Sequence, residues 1–277
     1  MLAQFRARRN ARKRSLGCAN RYNDRVTHKE LKGRTAVITG GNRGLGKAIA
    51  TALGSAGANI VLVARDKYVL SSAAEEVRAT GAEVSAFPAD VTDEKQVFQL
   101  AQDIRGRIGT VDILVNNAGI NVRKSVEQFT LAEWNSVLAT NLTSAFLMCR
   151  AFIPGMKGRG YGRILNLASM MGHVSIPGRA AYSASKAGLI GFTKALALEL
   201  APDGVTVVAI SPGPFATEMN TPLMNDPQVS SQFTSRIPLG RWGDPEEIGK
   251  LAAYLCSEHA GFITGTDILI DGGWTAQ

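Results

Sequence analysis

The chain has 277 residues, 45% of them hydrophobic, and a formal net charge of +8. That length suits one α/β domain with a sizeable core, and the apolar content excludes a disordered polymer. No uninterrupted apolar run approaches the roughly 18 residues that a membrane-spanning segment needs.

The charge is unevenly placed. Residues 1–30 carry nine basic and two acidic side chains, so +7 of the +8 lies in this arm and the remaining chain is almost neutral. A near-neutral body with a basic arm lacks the striped basic face of a nucleic-acid-binding domain, so neither nucleic acid nor membrane is expected as a partner. The arm has no apolar core of the secretory kind. Its Arg-rich, acid-poor composition fits a mitochondrial-type presequence, although serine is sparse. Three readings stay open: a solvated arm, a targeting segment, or a start site placed too far upstream. A cytoplasmic location is expected, with the mitochondrion as the alternative if the arm is cleaved. Cys18, Cys149 and Cys256 lie far apart without a CxxC pattern, and His28, His173 and His259 are equally scattered. The thiols therefore read as small hydrophobes in a reduced compartment, and no metal site is expected.

From Gly33 onward, short β-rich runs alternate with helical patterns. The first strand is predicted over Arg34–Thr39 and runs into Thr39-Gly-Gly-Asn-Arg-Gly-Leu-Gly46, with a helix at once behind it. Glycines at 40, 44 and 46 permit a tight turn and close approach to a pyrophosphate, and the helix N-terminus offers free N–H groups. The second strand, Asn59–Ala64, ends without an acid and is followed by Arg65 and Asp66. An acid at that point binds the 2′-hydroxyl of NAD, whereas guanidiniums accommodate the 2′-phosphate of NADP. Arg43 and Arg65 thus favour NADP(H), with NAD(H) as the alternative. Asp66 dissents by its spacing from Gly46 and is read as a helix-start residue.

Further strands are predicted over Glu83–Phe87, Val111–Val115, Arg163–Ala168, Val205–Ile210 and Asp267–Ile270. All are near-continuous apolar runs, the pattern of strands covered on both faces in a parallel sheet. Thr130-Leu-Ala-Glu133 reads as a capping box, and Asp244-Pro-Glu-Glu247 as an acid cap with Pro in the first turn. The alternation predicts a doubly wound α/β sheet with right-handed crossovers, one domain over residues 31–277. The interval 211–243 is longer than an ordinary connection and is a candidate substrate lid.

Tyr182-Ser-Ala-Ser-Lys186 lies in a predicted helix over Ala180–Leu200. At i, i+4 both side chains share one helix face. Two unit charges about 4 Å apart at an effective dielectric near 20 interact by roughly 4 kcal/mol. That is enough to draw a phenol from about 10 toward 7, where a general acid/base works. On its own such a pair is more often surface decoration. Upstream glycines and Ser169 change its meaning.

Taken together, Thr39-Gly-x-x-x-Gly-x-Gly46, Asn116-Asn-Ala-Gly119, Ser169, Tyr182-x-x-x-Lys186 and Ser211-Pro-Gly213 resemble the short-chain dehydrogenases/reductases over about residues 31–274. The resemblance implies a Rossmann-type fold, a dimer or tetramer, and a catalytic tetrad of Asn141, Ser169, Tyr182 and Lys186. By the same resemblance Asn141 holds a relay water and Lys186 binds the nicotinamide ribose. The cofactor residues it implies are Gly40, Asn42, Arg43, Gly44, Leu45 and Gly46 in the loop, with Arg65, Asp90 and Val91 around the adenosine. Asn117, Ala118 and Gly119 follow, then Tyr182, Lys186 and the stretch of Pro212, Gly213, Phe215 and Thr217. The second half looks like gluconate 5-dehydrogenase and related sugar-acid or polyol enzymes. Arg123, with Lys124 or Arg179, could pair a substrate carboxylate beside Ser169 and Tyr182. The alternative enzyme is a 3-oxoacyl-carrier-protein reductase, and the non-enzyme alternative is a cofactor-sensing or scaffold protein. His173 is read as a loop residue.

Overall fold

Seven parallel strands order as β3-β2-β1-β4-β5-β6-β7 in a computed structural model that describes residues 30–277. The strands are β1 (Thr35–Thr39), β2 (Asn59–Ala64), β3 (Val84–Pro88), β4 (Ile113–Asn116), β5 (Gly162–Leu167), β6 (Val205–Pro212) and β7 (Asp267–Ile270). The readings of the basic arm over 1–29 lie outside the described residues. All seven predicted strands are present, two with the predicted bounds. The largest shift is in β4, where Asp112 turns its carboxylate onto the backbone N–H of Thr35 at 2.9 Å just before the strand begins.

The helices are α1 (Gly44–Ser55), α2 (Lys67–Arg78), α3 (Glu94–Arg107), α4 (Leu131–Leu138), α5 (Ser144–Met156), α6 (Ala180–Leu200), α7 (Thr221–Met224), α8 (Pro227–Thr234) and α9 (Pro245–Cys256). They cover the two sheet faces, and alternation along each strand shows why. Ala36, Ile38, Ile60, Leu62, Ile113 and Val115 pack on one face with Ile49, Leu53, Leu70 and Ile248 of α1, α2 and α9. Val37, Val61, Leu114, Ile164 and Val207 point the other way, onto Ile104, Met148, Phe152 and Leu196 of α3, α5 and α6. Each of the Val, Leu, Ile, Phe and Met side chains among them contributes roughly 1.5–3 kcal/mol when fully buried. The continuous helical stretch Leu131–Met156 is the one described helix long and apolar enough by composition to cross a membrane; its mean hydropathy window is 1.4. Here Met148, Phe152 and Met156 are spent on the sheet.

Local signals hold the helix ends in place. Both capping boxes form: Thr130 with Glu133, and Asp244 with Glu247. Asp66 accepts from Tyr68 N at 2.9 Å and Val69 N at 3.1 Å, so it starts α2 as its sequence position suggested. The strand order reverses between β1 and β4. At such a switch point the loops after neighbouring strands diverge and leave a crevice beyond the carboxyl ends of the sheet. The loops after β1, β4, β5 and β6 all open there.

Candidate active site

A cleft of about 680 Å³ occupies that crevice. Its wall is built by the glycine loop after β1, Ala64–Asp66 after β2, Ala89–Thr92 after β3, Asn117–Asn121 after β4, Ser169 after β5 and Pro212–Asn220 after β6, with Tyr182 and Lys186 rising from α6. Every cofactor residue inferred from sequence lines it except Gly46.

The loop geometry fits a pyrophosphate. Gly40 has φ +62, and a Cβ there would lie 2.9 Å from Asn117 Nδ2 and 3.1 Å from Ala118 Cα. A larger residue would fill the cradle. Arg43, at the N-cap of α1, is extended and makes no side-chain cap, leaving the first-turn N–H groups free for an anion. Gly46 departs from expectation. It is buried, and a Cβ there would stand 2.4 Å from both Gly40 O and Asn117 Nδ2. Its part is to let α1 close against the loop behind the cleft. Asn117 itself donates to Thr39 O at 2.9 Å and Gly40 O at 3.1 Å, so it braces the cradle from the wall it lines.

At the adenosine end Arg65 is largely exposed, with Asp90 Oδ2 at 3.9 Å. Asp66 reaches the same wall, but its carboxylate is committed to the α2 cap.

At the reacting end, Ser169 leaves β5 in extended backbone, and its Oγ accepts from Met171 N at 3.1 Å. Tyr182 is half-buried in the first turn of α6. Burial raises its phenol above the ordinary value, while a hydrogen bond with Ser169 and the charge of Arg179 pull the other way. The expected role of Lys186 beside this phenol rests on where its ammonium goes. Lys186 Nζ donates to Leu167 O at 2.5 Å and lies 5.6 Å from the Tyr182 ring centroid. Burial brings Lys186 itself down to about 8. The ammonium is thus turned toward a backbone carbonyl, on the same side of α6 as the Tyr182 ring.

Asn141 was expected to hold a relay water, and the structure gives its side chain protein partners. It sits in a π-turn, Ala139–Thr143, joining α4 to α5, and it is buried away from the cleft wall. Its Oδ1 accepts from Ile120 N at 2.8 Å, and its Nδ2 donates to Ile120 O and Ser185 Oγ, each at 3.0 Å. Both Nδ2 hydrogens are therefore used within the protein. Asn141 ties the loop after β4 to α6.

Comparison with known proteins agrees with this geometry. A family model described as enoyl-(acyl carrier protein) reductase matches residues 40–275. The chain is 38% identical to 3-oxoacyl-[acyl-carrier-protein] reductase of Aquifex aeolicus, over 88% of this chain and 98% of that one. It is 36% identical to gluconate 5-dehydrogenase of Gluconobacter oxydans, over 89% and 96%. A solved Beutenbergia cavernae protein described as an NAD(P)-dependent gluconate 5-dehydrogenase, with NADP bound at low occupancy, superposes with a TM-score of 0.85. It is 38% identical, with coverage of 90% and 99%. The chain belongs to the short-chain dehydrogenase/reductase family. It is an oxidoreductase of the CH–OH/ketone class.

Within this short-chain dehydrogenase/reductase the substrate side is only partly as expected. Lys124 is paired with Glu133, which that contact holds down to about 2. Arg123 is exposed and stands outside the cleft wall. Arg179, at the N-cap of α6, is half-buried; burial lowers its value and the charge of Arg123 adds to this. The two loops meet where Gly178 packs near the Lys124 backbone, its position for a Cβ lying 3.8 Å from Lys124 N and O. Asn121 lines the cleft with a buried Oδ1 that has no hydrogen-bond partner.

Sequence reading also passed over Asp267. Its carboxylate accepts from Ser211 Oγ at 2.8 and 2.9 Å and pairs with His173 Nε2. The available signal was an acid opening an otherwise apolar strand.

Proposed function

We propose that this chain interconverts a secondary alcohol and a ketone with NADP(H), and that its substrate carries a carboxylate, as a sugar acid does. The observation that carries the reading is the convergence of Ser169, Tyr182 and Lys186 on one end of a cleft whose other end is a phosphate cradle.

When bound, the nicotinamide cofactor supplies or accepts the hydride. Gly40, Gly44 and the α1 N-terminus would hold its pyrophosphate. Arg65 and Arg43 would meet a 2′-phosphate, and NAD(H) would lose that contact. Lys186 would meet the nicotinamide ribose. Ser169 Oγ donates a hydrogen bond to the substrate oxygen and fixes it beside Tyr182. A phenol raised by burial stays protonated at neutral pH, so Tyr182 is set to give its proton to the oxygen of a ketone undergoing reduction. For oxidation the same hydroxyl must first lose a proton, which Arg179 and Ser169 favour.

Arg123 and Arg179 support the anionic substrate. Neither has a carboxylate within ion-pair distance among the described residues, and Arg179 borders Tyr182. Two unpaired guanidiniums suit a carboxylate. The stretch 211–243, which folds in part as α7 and α8, would cover the bound substrate, and the active form would be a dimer or tetramer in the cytoplasm.

The test is NADPH oxidation with 5-ketogluconate set against acetoacetyl thioester. Preference for the keto acid, lost in Arg179→Ala, is expected. Preference for the thioester would instead make the chain a 3-oxoacyl reductase. Turnover of neither would mean that the enzyme takes another ketone.

A further inference from the structure

We propose that Asp267 and His173 are positioning residues that hold Ser169 in register with the cofactor-binding end of β6. The inference rests on Ser169 being the donor to the substrate oxygen.

The turn after β5 runs from Ser169 to His173. It is closed by Gly172 N to Ser169 O at 2.8 Å and His173 N to Met170 O at 2.9 Å. His173 therefore ends the same short turn that Ser169 begins. Its Nε2 reaches across to Asp267, the first residue of β7, ninety-four positions away. The side chain of Asp267 is only 5% exposed, so its carboxylate is an expensive group to bury unless it is paired. Its other partner is Ser211, the residue before Pro212 and Gly213, which line the cofactor cleft. One carboxylate thus bridges the turn that aims Ser169 and the strand end that faces the cofactor.

The carboxylate lies between the serine and the histidine, so the three do not form a nucleophile. Ser211 donates to Asp267, and His173 has no contact with Ser211 Oγ through which to take its proton. The arrangement is a brace. The turn is also seated tightly on α6: a Cβ at Gly172 would meet Ile190 Cδ1 at 2.7 Å and Ala187 N at 3.2 Å. With that side fixed by packing, His173 is the turn's polar tether on the β7 side. A displacement of Ser169 of about 1 Å is enough to cost on the order of a hundredfold in rate.

The experiment is a kinetic cycle on the full-length enzyme with NADPH and the best ketone among 5-ketogluconate, acetoacetyl thioester and ethyl acetoacetate. His173→Ala is expected to lower kcat by roughly tenfold or more with little change in the KM for NADPH. His173→Gln, which keeps a donor for Asp267, should recover most of the loss. In the Ser169→Ala background His173→Ala should have no further effect, because the brace acts through Ser169. The same fold-loss in both backgrounds, or kcat within twofold of the native value in His173→Ala, overturns the proposal. If His173→Ala does not fold, the comparison of His173→Gln with Asp267→Asn carries the test: retention by Gln and loss in Asn is expected, and equal activity refutes it. Native turnover in Ser169→Ala would remove the role given to Ser169, and turnover of no ketone would remove both readings.

Discussion

Two tyrosines bracket β5. Tyr161 precedes its first residue and Tyr182 stands beside Ser169, just past its last. Burial raises both phenols. At the N-terminal end of the sheet Tyr161 donates to Cys256 O at 2.6 Å, with Arg34 and Arg163 over its ring at 3.6 and 4.3 Å. Asp112 closes the group, holding Arg159 at 2.8 Å, Arg34 at 3.6 Å and Thr35 N at 2.9 Å. Among these residues only Arg163 Nε lacks a partner. At the other end Tyr182 and Asn121 line the cleft, Asn121 Oδ1 has no partner, and Arg179 beside Tyr182 has no carboxylate within ion-pair distance among the described residues. The same strand thus carries polar groups that satisfy one another at one end and polar groups kept for a ligand at the other. Groups of the first kind stabilise the fold; groups of the second kind do chemistry at a cost to it.

Substitution at each end should separate the two properties. Tyr182→Phe is expected to lower kcat by about 10²–10⁴-fold while cofactor binding and melting temperature stay near native. Stopped-flow turnover beside cofactor titration measures this, and retained turnover would mean that Tyr182 is not the acid. At the opposite end Asp112→Ala leaves Thr35 N–H and the part-exposed guanidiniums of Arg34 and Arg159 without their acceptor, and roughly 1–3 kcal/mol of stability should be lost. Its turnover per folded molecule should be unchanged. A fall in kcat in Asp112→Ala, measured on the folded fraction alone, would show that the two ends are coupled.

The comparison also marks what the sequence could disclose. Strands were legible because both faces of a parallel sheet demand continuous apolar runs, and both capping boxes because their signals lie within four residues. The cleft was legible because glycine spacing and strand order are local to each crossover. Destinations of long polar side chains were not. Lys186 could be placed on the face of Tyr182 by periodicity, yet its ammonium goes to Leu167 O, nineteen residues back. Asn141 was read as a holder of water, but partners at 120 and 185 take up its amide. Asp112 and Asp267 carry no local signal of their partners; only the assembled sheet brings Arg159 to one and His173 to the other.

Lys186 sharpens the contrast through pH. Its proton is held to about 8 in the folded chain and to the ordinary lysine value of 10.5 when unfolded. Between those values the unfolded state binds more protons, so this side chain's contribution to stability rises with pH. At about 1.4 kcal/mol per pH unit the change is on the order of 3 kcal/mol across the window. Urea melts of the native chain and Lys186→Met from pH 8 to 10.5 should therefore diverge in slope by that order. Parallel curves would mean that the ammonium is not desolvated, and the cleft end would then be no costlier than the other.

The smallest effect falls at the rim of the cleft, where charge is neither closed upon itself nor buried. Arg65 is 74% exposed and only loosely paired with Asp90, so removing it should move stability by less than about 0.5 kcal/mol. Its value lies in what it meets. One charge-assisted hydrogen bond to a 2′-phosphate contributes roughly 1.5 kcal/mol, which is about tenfold in affinity. Arg65→Ala should thus lower the preference for NADPH over NADH by about that factor, read from Kd ratios for the two cofactors. Asp66→Ala is the matched control on the next residue. It removes the α2 cap, costs about 1 kcal/mol of stability, and should leave the ratio alone. If Asp66→Ala shifts the ratio and Arg65→Ala does not, the acid is reading the ribose after all. Arg65 would then belong with the exposed charges of an ordinary surface.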